Sequence, residues 1–335
     1  MLLKNIPSLS NKYFLSSILV ILSGCSCIPR YTRLPLPTPE TYPGQECVQN
    51  GTPIQQLGWQ DFFNDPTLKG LICLALENNR ELRAAIQQVK EVPCDCTRKL
   101  IGQVANTYLI GVELNELICN AMKTIKTREE ISRILKLRFK EGAASEFDFL
   151  QAEMLLEQAK ADLVALQRRC ALNWNAMTLL VGIPICPDDH LLSQIEPYFM
   201  TEICPGLPSE LLYDRPDVYA AWNKLSSVNS CMGQNLAVTE YERTLQVAFR
   251  EVADALAERI WLSEQILSQK ELLDAQTERV RLAWIRFQYS TTSFLEVLDA
   301  ERERFSAEQA FVQTRRSLLA SGINLYIALG GGCYR

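Results

Sequence analysis

A chain of 335 residues is long enough for two ordinary domains, and 47% hydrophobic with 22% charged residues is the balance of a folded protein. A net charge of −5 supplies no basic footprint for nucleic acid. The single histidine, His190, sits in a Pro187-Asp188-Asp189 loop, and no carboxylate or cysteine set has metal-ligand or triad spacing. The sequence therefore argues against an enzyme and against a resident metal or cofactor.

The first predicted element is a leader. Lys4 and Lys12 precede the apolar run Tyr13 to Leu22, which has the length of a signal-peptide core and is too short to span a bilayer. Leu22-Ser23-Gly24-Cys25 follows and resembles the bacterial lipobox, in which the cysteine is lipidated and becomes the mature N-terminus. Residues 1–24 are read as a lipoprotein signal peptide and Cys25 as the lipidation site, carrying palmitate-type acyl chains whose combined burial holds a protein durably to a membrane. Residues 25–58, with prolines at 29, 35, 37, 39, 43 and 53, read as an extended tether. Apart from Cys94 and Cys96 the other cysteines are scattered singly, an odd set that argues against a disulfide framework; Cys170 reads as a small core hydrophobe.

The folded part begins at Trp59, Phe62 and Phe63, with a helix starting at Asp65-Pro66 and continuing through Leu71, Ala75 and Leu82. Further on, Leu245, Ala248, Val252, Ala255, Leu262 and Ile266 follow alternating steps of three and four, interrupted by Arg259. Leu295, Leu298, Phe305, Val312, Leu319, Ile323 and Tyr326 keep the same rhythm, so two long helices from Tyr241 onward fold back on each other at Tyr289 to Ser293. No proline occurs after Asp217, which lets the first run roughly 70 Å at 1.5 Å per residue. Arg138 to Gly182 lies on Arg286 to Gly330 without a gap at an offset of 148 residues, with Arg138-Phe139, Ser145, Leu150, Ala152-Glu153, Arg168 and Gly182 recurring. The expected fold class is all-α: long coiled-coil-like helical hairpins in two duplicated halves, 59–186 and 208–332, joined by a linker at 187–207 and ending in a tail at 333–335.

Several stretches carry a resemblance to a known family. Trp59, Phe62, Asp65-Pro66 and Leu68, then Ala75-Leu76, Asn78-Asn79, Leu82-Arg83 and Ala85, are similar to the start of TolC-type outer-membrane efflux proteins, in particular their OprM-like lipoprotein branch. Leu207-Pro208, Leu211-Leu212 and Arg215-Pro216-Asp217-Val218 resemble that family's link between halves. Ala248-Phe249, Glu251 to Ala257, Leu298-Asp299-Ala300, Arg302, and Leu325-Tyr326 with Ala328 to Gly332 match its last helical segments. The resemblance implies a homotrimeric periplasmic tunnel in the outer membrane, joined to a periplasmic adaptor and an inner-membrane transporter, with a β-barrel to which each chain gives two hairpins.

One departure is consequential. The hairpins belong at Val92 to Arg98 and near Asn229 to Leu236, yet a membrane strand needs about 9–11 residues, and four strands with turns on the order of 50. Both barrel hairpins are therefore expected to be missing, with no membrane-length strand elsewhere in the proline-rich remainder. The resemblance also assigns Leu295, Asp299 and Arg302, which share one helix face just past the reversal, to the periplasmic gate. Around the axis, three Asp299 carboxylates would repel one another, and Arg302 would offset that charge. The tips at Phe139, Gly142, Ser145, Phe287, Ser290 and Ser293 take the role of adaptor-docking surface, with Ser290 standing where the turn glycine is expected. The alternative is a lipid-anchored helical scaffold that binds an adaptor and conducts nothing.

Overall fold

The computed structural model describes residues 42, 52–53, 57–88, 93–185, 200–201, 203–204, 215–227, 231–289 and 294–331. The leader, Cys25, His190, Ser290, Ser293 and most of the tether and linker lie outside them. Four long helices dominate: α4 (Pro93–Lys140), α5 (Glu146–Val181), α7 (Cys231–Gln288) and α8 (Phe294–Ala328). Shorter helices α1 (Trp59–Phe62), α2 (Pro66–Asn78), α3 (Arg80–Gln88) and α6 (Pro216–Ser227) gather at one end, the root.

Each half is a hairpin of two long helices, α4 with α5 and α7 with α8, and the hairpins meet where α4 packs on α8. The lateral order is α5, α4, α8, α7, which leaves α5 and α7 at the two edges of one helical layer. Helix α7 starts at Cys231, earlier than the Tyr241 expected from the heptads, and its 58 residues give it about 87 Å. Its first turns pack with α6, and Trp222 lies 5.6 Å from Tyr241 between ring centroids.

One expectation needs correction. The helix beginning at Pro66 does not run on through Leu82, because the chain turns extended at Asn79 (φ −62°, ψ 123°). There the Asn79 side chain accepts from the Leu82 N–H at 2.7 Å, capping α3, and donates to the Leu180 carbonyl at 2.8 Å. The break thus satisfies orphan groups of two helices at once. In the proline-rich remainder β1 (Thr52–Pro53) pairs in parallel with β2 (Ile203–Cys204), and Phe63 bridges Met200. Two-residue strands tie tether to linker but fall far short of a membrane span.

The missing hairpins are borne out by counting. Only four residues separate α3 from α4 and only three separate α6 from α7. Neither interval has enough chain for one membrane strand, let alone two and a turn. No described helix is long and apolar enough to cross a membrane.

The root is packed around Phe62, Phe63, Leu68, Ile72, Ile101, Tyr108, Leu256, Ile323 and Tyr326, each fully buried. Phe62 stacks on Tyr326 at 4.1 Å with rings 5° from parallel. Each such side chain contributes roughly 1.5–3 kcal/mol by leaving water. The Tyr108 hydroxyl donates to Asp65 Oδ2 at 2.6 Å while Asp65 Oδ1 caps α2, and burial, then the carboxylate, push the phenol's pKa up.

Arginines close the root. Arg215, 2% exposed, donates through Nε and Nη2 to both oxygens of Asp217, and through Nη1 to Glu251 at 2.7 Å and the Ala328 carbonyl at 3.0 Å. Arg98 donates to Asp95 at 2.6 Å and to the Ile327 carbonyl at 2.7 Å. The last carbonyls of α8, which have no partner inside the helix, are thereby held by guanidinium groups at the negative end of its dipole. Burial works to raise the Asp217 and Asp95 pKa values, but their cationic neighbours win and hold both below the ordinary carboxylate range. Just beyond, Gly330 takes φ 93°, and Gly330 and Gly331 donate back to Ile327 and Tyr326 in a Schellman turn. Gly182 ends α5 with φ 80°, and a Cβ there would stand 2.4 Å from the Asn78 carbonyl oxygen, so only glycine fits.

Candidate functional site at the helix tips

At the end opposite the root, each hairpin turns. The first tip is built by a Schellman turn at Gly142 (φ 74°), where Ala143 donates to the Arg138 carbonyl at 2.8 Å. Ser145 then caps α5, accepting from the Asp148 N–H at 3.1 Å and donating its hydroxyl to the Asp148 carboxylate at 2.8 Å. Phe139 and Phe149 stack at 6.2 Å on the surface, and Phe147, Leu150 and Met154 stand 69, 52 and 62% exposed.

The second tip has a different interior. Trp284, Phe287 and Phe294 meet edge to face, with centroids 4.9 to 6.3 Å apart, over Ile131, Leu135, Val280, Ala283 and Val297. Arg286 pairs with Glu296 at 2.6 Å across the reversal. The two tips touch each other where the Arg138 guanidinium lies 4.9 Å from the centroid of the Phe287 ring.

The expected gate residues come together. Leu295 is 44% exposed, and it lines a groove with Asp299, Arg302 and, from α5, Gln151, Met154 and Leu155. Asp299 accepts from Arg302 at 2.9 Å within the helix and from Arg279 of α7 at 2.8 Å. Arg279 was not expected from the sequence: it lies 20 residues away, and only the fold of the hairpin brings it there. Arg302 does not tie α8 to its neighbour; its second partner is Glu303 at 3.1 Å, and the cross-helix link is made by Arg279. The Asp299 carboxylate therefore stands between two guanidinium groups on an exposed face, a cluster that is held by charge and open to solvent.

Between root and tips, α4 and α8 are cross-linked by Glu113 with Arg316 at 2.9 Å and by Glu116 with Arg315. Arg128, 6% exposed, donates to the Leu155 carbonyl at 2.6 Å and lies over Phe305. A broad depression crosses α4, α5, α7 and α8 nearer the root, lined by polar groups including Gln103, Asn106, Glu251, Asp254, Glu258 and Asn324. No His, Cys, Asp or Glu cluster suited to a metal occurs among the described residues. Cys170 packs against the middle core as expected of a small hydrophobe, and none of Cys73, Cys96, Cys119 and Cys170 is in a disulfide.

Long helices in two repeated hairpins, with unpartnered edges and a charged groove at one end, define a stave of a helical duct rather than a pocket protein. The outer membrane efflux protein family model matches residues 222–331. The chain is 26% identical over 464 residues to the probable efflux pump outer membrane protein SepC of Pseudomonas putida, covering 96% of each. It is 24% identical to the outer membrane protein OprJ of Pseudomonas aeruginosa, covering 94% of each. The aligned span with SepC exceeds the length of this chain, so the relative carries internal stretches with no counterpart here, as the short intervals before α4 and α7 require. In fold it matches the Neisseria gonorrhoeae MtrE outer membrane channel, with TM-score 0.75 and 23% identity over 92% of this chain and 98% of that one. A membrane protein of Pseudomonas aeruginosa gives TM-score 0.79 at 22% identity, with the same coverage. The chain thus carries an outer membrane efflux protein domain in its second half and resembles TolC-type outer membrane efflux proteins over nearly its whole length.

Proposed function

We propose that this chain is the outer-membrane component of a tripartite export system, three copies closing a periplasmic duct that is held to the membrane by acyl chains on Cys25. The observation that carries the reading is the pair of unpartnered edges. Along α5, Phe147, Leu150, Met154, Val164, Leu172 and Leu179 are exposed at near-heptad spacing, and along α7 so are Trp261, Leu272, Leu282 and Tyr289. A monomer that leaves two such stripes in water at opposite edges of one layer is completed by copies of itself. Closing the layer turns its polar depression and the groove of Leu295, Asp299 and Arg302 toward one lumen, with the latch at the narrow end.

In this reading the tips, with Phe139, Gly142 and Ser145 on one side and Phe287 on the other, face a periplasmic adaptor that couples the duct to an inner-membrane transporter. The body ends at the rim where α3 meets α4 and α6 meets α7, since those junctions are too short for strands. That shortness also favours a second reading, a lipid-anchored scaffold that binds the adaptor without conducting. Planar-bilayer recording on the purified full-length chain separates them. The duct requires channels whose closed fraction falls when Asp299 and Arg302 are replaced; adaptor binding without any conductance leaves the scaffold. Palmitate labelling that is lost in Cys25→Ala supports the anchor, and label that survives the change removes it.

A further inference from the structure

The rim stands where membrane hairpins would begin, yet the chain turns back there through two short junctions. Helix α3 reaches Gln88 and α4 starts at Pro93, while α6 reaches Ser227 and α7 starts at Cys231. Since α3 packs along α4 and α6 along α7, both junctions lie at the same end of the layer.

The tether limits how far that end can stand from the acyl chains. Tyr42, 2% exposed, stacks on Phe249 of α7, with ring centroids 5.2 Å apart and planes 20° from parallel. Phe249 comes 18 residues after Cys231. At 1.5 Å per residue the stacked pair is therefore about 27 Å below the rim. Seventeen residues of chain lead from Cys25 to Tyr42. Drawn out as a polyproline-type strand they span about 53 Å, of which about 27 Å is used in climbing back to the rim, leaving about 26 Å of slack. A fully flexible coil of the same length averages about 23 Å, less than the climb itself. A protein held by Cys25 thus has its rim kept close to the bilayer, where even a weak affinity for lipid is satisfied at high effective concentration.

The side chains exposed at the rim suit that neighbour. On α3, Leu82 is buried in the core, whereas Ile86, on the same face one turn nearer the rim, is 49% exposed. Leu236 is 63% exposed, five residues into α7 and about 8 Å from the rim. Arg83 is exposed one turn behind Ile86, and Lys224, exposed near the end of α6, pairs with Glu240. Apolar side chains scattered singly over a surface are ordinary. These two stand at the one edge that the tether draws toward lipid. An interfacial element sinks its apolar side chains about 5–10 Å into the boundary of headgroups and acyl chains and keeps its cations at the phosphates, which is the order found here.

Resting on the acyl anchor proposed at Cys25, we infer that the rim is itself a membrane-contacting surface, with Ile86 and Leu236 entering the interface of the leaflet that carries the acyl chains and Arg83 beside its phosphates. The body then meets the bilayer twice, through the anchor and through the rim, without inserting a strand. Because the contact is shallow, it sets where the rim sits and does not span the membrane.

The test uses the acylated full chain bound to vesicles of phosphatidylethanolamine and phosphatidylglycerol that carry a trace of radioactive phospholipid. A benzophenone amino acid replaces Ile86, Leu236 or Leu267 in turn. Leu267 lies on the same helix as Leu236 and is 65% exposed. It stands about 46 Å farther from the rim. Illumination is expected to attach lipid at Ile86 and Leu236 roughly tenfold more than at Leu267, since only the first two reach the interface. Equal yields at the three positions, or attachment to another copy of the chain in place of lipid at the rim, overturn the inference. Palmitate labelling separates the two levels: labelled protein whose rim takes up no lipid sinks this inference alone, and protein without label sinks the anchor on which it rests.

Discussion

The root and the second tip, the proposed aperture, are both made of arginines bracketing an aspartate, and they differ in how much water reaches them. At the root, Arg215 and Arg98 are 2% exposed and hold Asp217, Asp95 and the last carbonyls of α8. At the aperture, Arg279 and Arg302 hold Asp299 with side chains 42 to 62% exposed. The same chemistry is structural in the first setting, because breaking a buried pair strands a charge, and adjustable in the second, where water replaces any partner that leaves. The duct proposed above, held at the root and opened at the tips, would be served by that division.

The largest effect is expected at Arg215. Arg215→Met takes the guanidinium from Asp217, Glu251 and the Ala328 carbonyl and is expected to cost about 3–5 kcal/mol in chemical denaturation. A loss under about 1 kcal/mol would show that the root is not where the layer is fastened. Next comes the aromatic knot under the second tip. Phe294, 5% exposed, contacts Trp284 and Phe287, and Phe294→Ala is expected to cost about 3 kcal/mol. Phe139→Ala, removing a ring 39% exposed, is expected to cost less than about 1 kcal/mol in the isolated chain. Equal losses at these two phenylalanines would erase the distinction between a packed tip and an open one.

What could be read from the sequence follows the same division between local and distant. The heptads of α7 and α8, the reversal before Phe294, the offset between halves and the two empty hairpin intervals all depend on neighbours within a few turns. So does Asp299 with Arg302, three residues apart on one face. Arg279 was not legible because its distance to Asp299 depends on how tightly the hairpin closes, and several arginines of α7 offered themselves equally. The Arg215 network was hidden for the same reason: it joins α6, α7 and the end of α8 across 113 residues of chain. The break at Asn79 escaped because its reward is a contact with Leu180, outside any local window.

The halves also diverge in a way that sharpens the reading. At the positions of Leu295, Asp299, Arg302 and Arg279, the first half carries Phe147, Gln151, Met154 and Ile131. At these positions the ionic cluster around Asp299 exists in the second half alone, while the first half exposes Phe147 and Met154 there.

Acid is expected to weaken the root through Asp217 and Asp95. Asp217 and Asp95 are held below their ordinary pKa of 3.8, so the stability they contribute is complete above that value. It is lost as pH falls through their lowered folded-state values, when protonation empties the ion pairs. Thermal melting from pH 6 down to pH 2 should therefore be flat at first and then fall, with the fall reduced in Asp217→Asn; a decline already complete near neutrality would place the sensitive groups elsewhere.

The smallest effect on stability is expected at the aperture, where it is also the most informative. Asp299→Asn removes the acceptor of Arg279 and Arg302, but all three groups stay in water, so the cost is expected to be under about 1 kcal/mol. Its effect on opening should be disproportionate, because the latch fixes α8 to α7 just where the helices must part. Conductance or export rate in Asp299→Asn should rise while the melting curve barely moves, and Arg279→Gln should reproduce that result more fully than Glu303→Gln, which removes only the outlying partner of Arg302. If the three variants behave alike, the cross-helix bond from Arg279 is incidental, and the latch is no more than a pair of charges within one helix.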